Sequence, residues 1–305
     1  MKIVSLLPSA TELVYALGLG DDLSGVTFEC DYPPEARTKP VVSDTALPTD
    51  RPLSSAEIDA EVRERMEVRQ PLYVLDKDLI RQIDPDVILT QDLCRVCAVP
   101  TGQVQDALDE IGCSAEVVSM DPHSLEEILE SFLEVGRVTG TEGRAKELVD
   151  ELRDRIETVR RQATRLPTIR TLCLEWLEPP FAGGHWIPEM VAVAAGQNLL
   201  VQPKERSREV TWRAIANESP EVVVHMPCGY YLAEAEEEAS RIYEVPEFRE
   251  TTAYASGAVF ATDASSYFSR PGPRIVDGLD ILAWAIHPDE YPEPPEGRVS
   301  RVAGP

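Results

Sequence analysis

The sequence has little basic charge, and this scarcity excludes polyanionic partners. Its 305 residues include 29 Lys and Arg against 54 Asp and Glu, so the formal net charge is -25. A surface of this charge repels nucleic acid and anionic membranes, so we expect neither as a partner. Only five of the basic residues are Lys. The acid excess also predicts a protein whose stability rises with KCl concentration, because salt screens the repulsion.

Long apolar runs are absent too. The short apolar run from Ile3 to Leu7 ends at Pro8, whereas a secretory signal peptide needs an apolar stretch of about 7–15 residues. No window reaches the roughly 18 apolar residues of a membrane-spanning helix. The six Cys are irregularly spaced, unlike the framework of a small disulfide-rich protein. These absences predict a cytoplasmic protein without membrane insertion.

Common catalytic signatures are also missing. The chain contains no G-x-S-x-G elbow, no H-E-x-x-H pair and no G-x-x-x-x-G-K-[ST] phosphate loop. The sequence therefore favours a ligand-binding protein over an enzyme.

What is present is an alternation of strands and helices. Lys2 to Leu7 predicts a strand, Ala10 to Leu19 predicts a helix, and the same order recurs in both halves of the chain. Ser9 and Glu12 have the spacing of a capping box at the start of that helix. The alternation is typical of α/β proteins with mostly parallel sheets flanked by helices.

We predict an α/β fold of two lobes bridged by a long α-helix. Each lobe has a central, mostly parallel sheet flanked by helices. The predicted parts are an N-terminal α/β lobe at 1–122 with an insertion at 44–75, a bridging helix at 123–165 (one long helix or two in series), a C-terminal α/β lobe at 166–288 and a Pro-rich tail at 289–305.

The loops that follow the predicted strands carry aromatic, thiol and imidazole side chains. Ligands of α/β proteins bind at the carboxyl ends of parallel strands, so these loops are candidate walls of a binding cleft. Their composition suits a large, flat, partly apolar ligand. The candidate ligand-binding residues are Glu29, Cys30, Tyr32, Gln91, Asp92, Trp176, Phe181, His185, Trp186, Tyr230, Asp263, Tyr267, Phe268 and Arg270.

The pair Cys94-x-x-Cys97 is the sharpest local feature. Two thiolates at this spacing can chelate one soft metal ion, but a closed tetrahedral site needs further ligands. Cys30 and His185 are the candidates, so the predicted metal ligands are Cys30, Cys94, Cys97 and His185. Two other interpretations remain open. In one, Cys94 and Cys97 form a redox-active dithiol. In the other, the three cysteines are simply packed thiols that line a loop.

Five short motifs follow one another on the predicted elements. They are Pro8-Ser9-Ala10-Thr11-Glu12, Cys30-Asp31-Tyr32-Pro33, Asp84-Pro85-Asp86, Pro179-Pro180-Phe181 and Ser269-Arg270-Pro271-Gly272-Pro273-Arg274. In this order, over about 2–287, the chain resembles the vitamin B12-binding and siderophore-binding proteins of ABC importers. Those proteins have two lobes joined by a helical backbone.

This resemblance implies a small-molecule ligand, cobalamin or another corrinoid or a related metal chelate, in a cleft between the lobes. It implies that Tyr267 and Phe268 take the places of aromatic residues that contact the ligand in that family. An ABC permease is the implied partner, and the family's docking positions fall at Asp78 and Arg213.

The leading hypothesis is therefore an intracellular corrinoid-binding protein. One alternative is a metal- or iron–sulfur-dependent enzyme that uses Cys30, Cys94 and Cys97 in the same cleft, with a metal ion or iron–sulfur cluster as its cofactor. The other alternative is the substrate-binding component of an ABC importer.

Overall fold

The computed structural model describes residues 1–48, 55–68, 70–93 and 99–304. The chain divides into two compact units. The first comprises Met1–Pro122 and Glu126–Asp150, and the second comprises His123–Leu125 and Glu151–Pro305. Each unit has its own sheet and its own hydrophobic core.

The sheet of the first unit has, in the described residues, the strand order β4-β3-β2-β1-β5-β6. Its strands are β1 Ile3–Ser5, β2 Leu23–Thr27, β3 Val41–Thr45, β4 Tyr73–Leu75, β5 Val87–Thr90 and β6 Glu116–Ser119. All neighbouring strands pair in parallel except β3 and β4. Because β1 lies between β2 and β5, the loops that follow these three strands meet at one edge of the sheet.

Helices of the first unit follow the strands. They are α1 Pro8–Ala16, α2 Ser55–Glu67, α3 Lys77–Ile83, α4 Thr101–Ile111 and α5 Leu125–Thr139, followed by the first residues of α6 Glu142–Ala163. The core joins Val4 and Ile88 of the sheet to Val104 and Leu108 of α4, all of them buried. Burial of each such side chain stabilises the fold by roughly 1.5–3 kcal/mol.

The start of α1 differs from the prediction. The helix begins at Pro8, and Leu7 occupies the N-cap position without a side-chain hydrogen bond. Proline fits the first turn because its φ is fixed and its missing N–H is not needed there. The predicted capping box is therefore wrong, and Ser9 and Glu12 are buried residues within the helix.

The sheet of the second unit has the order β10-β8-β7-β11-β12-β13 in the described residues, with β9 also paired to β7. Its strands are β7 Ile169–Leu177, β8 Pro180–Ala182, β9 Gly196–Asn198, β10 Arg208–Glu209, β11 Val222–His225, β12 Val259–Thr262 and β13 Val299–Arg301. The central strands β7, β11 and β12 are parallel, whereas β8, β10 and β13 pair in antiparallel fashion.

Helices and core complete the second unit. After the remaining part of α6, the helices are α7 Ile187–Val193, α8 Trp212–Glu218, α9 Leu232–Ser240, α10 Thr252–Ser256, α11 Ala264–Tyr267 and α12 Ile275–Ile286. The buried core contains Leu172, Val223 and Ala261 of the central strands together with Ile215 and Phe248. The predicted α/β class, with two sheets flanked by helices, is confirmed.

Residues 123–165, predicted as one long helix or two in series, contain two helices, α5 and α6, with Gly140 between them at a φ of 68° that favours glycine. Two other segments differ from the predicted organisation. Residues 44–75, expected as an insertion, supply β4, which pairs with β3 and so belongs to the sheet. Residues 289–305, expected as a tail, contain β13, which pairs with β12.

None of the helices in the described ranges combines the length and the apolar character needed to cross a lipid bilayer.

Candidate functional site

The candidate residues of the first unit lie at the carboxyl edge of its sheet. Glu29, Cys30 and Tyr32 follow β2, and Gln91 and Asp92 follow β5. Tyr32 and Asp92 are exposed, Glu29 is half-buried, and Cys30 and Gln91 are buried. The topology thus brings these two groups to either side of the end of β1.

Cys30 takes part in a buried hydrogen-bond chain. Its Sγ lies 3.0 Å from Oγ1 of Thr11. The Thr11 hydroxyl donates to Oγ of Ser5 at 2.9 Å, and the Ser5 hydroxyl donates to the carbonyl oxygen of Leu7 at 2.9 Å. Either Cys30 or Thr11 can donate the proton in their contact, and the chain ties the Cys30 sulfur to α1.

The other two cysteines of the predicted metal site, Cys94 and Cys97, lie outside the described residues. Ligation of a metal by Cys30, Cys94, Cys97 and His185 therefore stays a prediction. Within the described ranges, no group of three or more His, Cys, Asp and Glu side chains is arranged to bind a metal ion.

Two aspartates fix the loop after β5. Asp121 Oδ1 accepts a hydrogen bond of 2.8 Å from the amide of Leu93 and a further, short one from the amide of Asp92. Asp92 Oδ1 accepts a bond of 2.9 Å from the amide of Thr101 at the start of α4. Buried Gln91 has no hydrogen-bond partner for its Oε1 among the described residues.

In the second unit, three half-buried rings form what we call the aromatic cluster: Trp176, Phe181 and Tyr230. Trp176 lies near the end of β7 and is the register partner of Phe181 on β8. Tyr230, in the loop after β11, meets Trp176 edge-on with 5.9 Å between ring centres. The cluster presents flat, apolar surface at the carboxyl edge of the second sheet.

The loop after β12 contains the remaining candidates of this edge. Asp263 Oδ1 accepts a bond of 2.9 Å from the amide of Ser266 and so caps α11. The guanidinium groups of Arg298 and Arg274 lie 5.0 and 5.6 Å from the ring centre of Tyr267. Burial raises the pKa of Tyr267, so its hydroxyl is protonated at neutral pH and remains a possible donor. Arg270 is half-buried.

Trp186 and Phe268 are buried together. They are 5% and 2% exposed, and the Trp186 indole Nε1–H donates a hydrogen bond of 3.0 Å to the carbonyl oxygen of Phe268. These two residues thus connect the segment after β8 to the loop after β12. Their contact with a ligand stays a prediction.

His185 lies between β8 and α7 in a left-handed backbone conformation, with φ of 55°. Its N–H donates to the carbonyl oxygen of Glu205, and its own carbonyl accepts from the amide of Lys204 at 3.1 Å. The residue before it must be glycine, since a Cβ on Gly184 would lie 2.3 Å from the amide nitrogen of Ser207. The backbone that carries the imidazole is therefore held in one conformation.

The His185 ring is half-buried between two other rings. Its centre lies 5.8 Å from that of Trp186 and 5.6 Å from that of His123. Burial, together with the neighbouring His123 and Arg206, lowers the pKa of His185 to about 4. The imidazole is consequently neutral at pH 7.

Sequence reasoning missed Asp121 and His123. Both follow β6, a parallel strand whose loop was left out of the candidate set, although its carboxyl end lies beside that of β5. Their position identifies both as candidates, because polar side chains that follow a parallel strand lie at the edge of the sheet where ligands bind.

The sequence is similar to those of known proteins. The sequence model of the periplasmic binding protein family matches residues 3–266. The uncharacterized ABC transporter substrate-binding lipoprotein YvrC of Bacillus subtilis is 25% identical over 298 residues, which are 96% of this chain and 82% of the relative. A vitamin B12-binding protein of Yersinia pestis is 24% identical over 226 residues, which are 73% of this chain and 68% of the relative.

The fold is also found in solved structures. A periplasmic heme binding protein from Pseudomonas aeruginosa superposes with a TM-score of 0.71 at 20% identity and covers 99% of both chains. The resemblance drawn from the five sequence motifs is thus confirmed, as is the fold class.

The cytoplasmic location predicted from the sequence is wrong. The matching family model describes periplasmic binding proteins, and the B. subtilis relative is a lipoprotein. Both descriptions indicate a location outside the cytoplasm. The prediction relied on what the first residues lack, and that absence does not determine the compartment.

Proposed function

This chain belongs to the periplasmic binding protein family, and we propose that it is the substrate-binding component of an ABC importer whose ligand is a corrinoid or a related metal chelate. The importer role was the second alternative drawn from the sequence. It replaces the intracellular binding protein because the relatives are a substrate-binding lipoprotein and a vitamin B12-binding protein.

The aromatic cluster is the main support for a corrinoid or a related metal chelate as the ligand. A corrin is flat, largely apolar and fringed by amides. Trp176 and Phe181 are register partners on adjacent strands, so their rings are fixed by the sheet and lose little freedom on binding. Tyr230 adds a third ring with a polar tip. Such a rigid, half-exposed surface suits stacking against a macrocycle.

Polar groups near the strand ends are the proposed anchors for the amide fringe. In the first unit, the buried Gln91 offers an acceptor that no described residue engages. Glu29, Tyr32 and Asp92 are accessible at the same edge. In the second unit, Arg270 is half-buried next to α11. A few such groups suffice to orient a ligand whose affinity comes mainly from apolar contact.

The enzyme alternative has less support. It requires Cys94 and Cys97, which lie outside the described residues, together with Cys30, which is hydrogen-bonded to Thr11. Among the described residues, no group of three or more His, Cys, Asp and Glu side chains could replace them.

An ABC permease is the proposed partner. The family's docking positions, Asp78 and Arg213, are both exposed, and each forms an ion pair, with Arg81 at 3.0 Å and with Glu250 at 2.8 Å. Exposed pairs contribute at most about 1 kcal/mol, so a partner can displace them at small cost. Opposite charges at the two positions imply that the permease presents one basic and one acidic docking group.

Titration of the purified protein with cyanocobalamin, and separately with hemin, tests the ligand class. We expect binding heat, an absorbance shift and quenched tryptophan fluorescence with the corrinoid. Trp176→Leu should weaken this binding by about 3- to 10-fold, the effect of losing one aromatic contact. Trp212→Leu is the matched control, because Trp212 packs against Phe248 in the core of the same unit.

The outcomes separate the parts of the proposal. Binding of hemin without cobalamin would show that the corrinoid is the wrong chelate, while the importer role stands. Failure of both ligands, or equal losses in the two tryptophan variants, would remove the aromatic cluster as the binding surface.

A further inference from the structure

His123 and His185 lie side by side in the second unit, although they are far apart in sequence. Their ring centres are 5.6 Å apart, and the ring planes are inclined by 37°. The predicted metal ligands included His185 but not His123. The structure therefore pairs His185 with a second imidazole that lies outside the predicted ligand set.

The distance between the rings fits shared ligation of one ion. A metal about 2.0–2.1 Å from one nitrogen of each of two imidazoles places the ring centres about 5–6 Å apart. The observed 5.6 Å lies in this range.

The His185 ring has the donor properties that a metal requires. Its Nδ1 is buried and has no hydrogen-bond partner among the described residues, so this polar atom carries a desolvation cost that a bound ion would relieve. The backbone bonds to Glu205 and Lys204 hold the His185 backbone, from which the ring projects, in one position.

We propose that His123 and His185 together bind one late first-row transition-metal ion. Imidazole nitrogen suits Co²⁺, Ni²⁺, Cu²⁺ and Zn²⁺, and affinity at such sites rises from Co²⁺ to Cu²⁺. With two protein ligands, the remaining coordination positions are open to water or to a donor atom of an incoming molecule. The inference goes beyond the importer function and does not depend on it.

Nuclear magnetic resonance of the unaltered protein gives a direct test, because the chain has only 4 His. Substoichiometric Cu²⁺ should broaden the imidazole ring-proton signals of two histidines, His123 and His185, and leave those of His225 and His287 sharp. Broadening of another pair, or of none, would overturn the proposal. This readout needs no substitution and so cannot be confused with misfolding.

Calorimetric titration with Ni²⁺ tests the same site by substitution. His185→Asn is the suitable variant at this position because Asn tolerates the left-handed backbone that His185 adopts. We expect His185→Asn and His123→Gln each to weaken binding at least about 10- to 100-fold, since even outer ligand partners contribute that much. His287→Gln, which changes a buried histidine outside the pair, should leave the affinity unchanged.

A cysteine variant separates this site from the predicted thiolate site. Cys94→Ser combined with Cys97→Ser should leave Ni²⁺ affinity and the Cu²⁺ broadening pattern as they are. Loss of Ni²⁺ binding in that variant, or an equal loss in His287→Gln, would show that the ion binds elsewhere.

Discussion

Gly278 of α12 lies directly against the backbone carbonyl of Tyr267 at the end of α11. A Cβ atom at position 278 would be 2.1 Å from that carbonyl oxygen and 3.1 Å from the carbonyl carbon. The two helices therefore pack at a separation that no side chain permits. Because Tyr267 belongs to the candidate binding loop, this contact determines the position of the loop.

Gly278→Ala should destabilise the protein by about 1–3 kcal/mol, since overpacking against rigid backbone outweighs the helix propensity of Ala, which is worth about 1 kcal/mol. Urea unfolding measures the change. Gly143→Ala in α6 is the matched control, because a Cβ there meets nothing within 4 Å, and we expect unchanged or slightly higher stability. Equal losses in the two variants would contradict the packing argument.

Trp186→Phe should cost about 1–3 kcal/mol of unfolding free energy. The substitution keeps an aromatic ring but leaves the buried carbonyl of Phe268 without its indole donor at 3.0 Å. Trp212→Phe provides the comparison, and its loss should be smaller because Trp212 contributes a ring contact with Phe248. A Trp186→Phe protein as stable as the unaltered one would show that the hydrogen bond is dispensable.

His287 should contribute a loss of stability as the pH is lowered from 7 to 5. Burial lowers the pKa of His287 below its ordinary value of 6.5, so the unfolded chain takes up the proton first. The contribution is fully present above about pH 6.5 and is lost as the pH falls toward the pKa of the folded state.

Denaturant unfolding of His287→Gln across this pH range checks the assignment. The variant should show a shallower dependence on pH than the unaltered protein. Some dependence should remain, since burial also lowers the pKa of His185. An identical slope in both proteins would mean that His287 does not contribute.

Molar KCl should raise the melting temperature at pH 7, because it screens the repulsion within a chain of net charge -25. Differential scanning calorimetry at low and molar KCl measures this. The same series near pH 4.5, where the net charge is close to zero, is the control and should show a much smaller effect. A salt response that is the same at both pH values would rule out charge screening as its cause.

Local pattern in the sequence was enough to predict the α/β class and much of the candidate site. Strand and helix periods show which segments pair and which cover the sheet. The rule that ligands bind at strand ends then selected Trp176, Phe181 and Tyr230, and the sheet register brings these three together. Such residues are predictable because the elements that carry them are adjacent in the fold.

Contacts made by irregular segments were not predictable. His123 and His185 meet through two loops whose course depends on tertiary packing, and no periodicity records that. The start of α1 was misplaced because Pro8 fits the first helical turn as well as it fits a loop. Strand β13 has only three residues and no alternating pattern, so the sequence gives no sign of a strand there. It pairs with β12 in the folded protein.

Strand β13 also has a practical consequence for recombinant work. Val299–Arg301 pairs with the outer side of β12 at Thr262↔Val299 and Phe260↔Arg301. A version truncated before this strand would expose the amide and carbonyl groups of β12 to other molecules, and open edges of this kind promote aggregation. Expression plasmids should therefore extend past Arg301, and shorter versions are expected to yield self-associated protein.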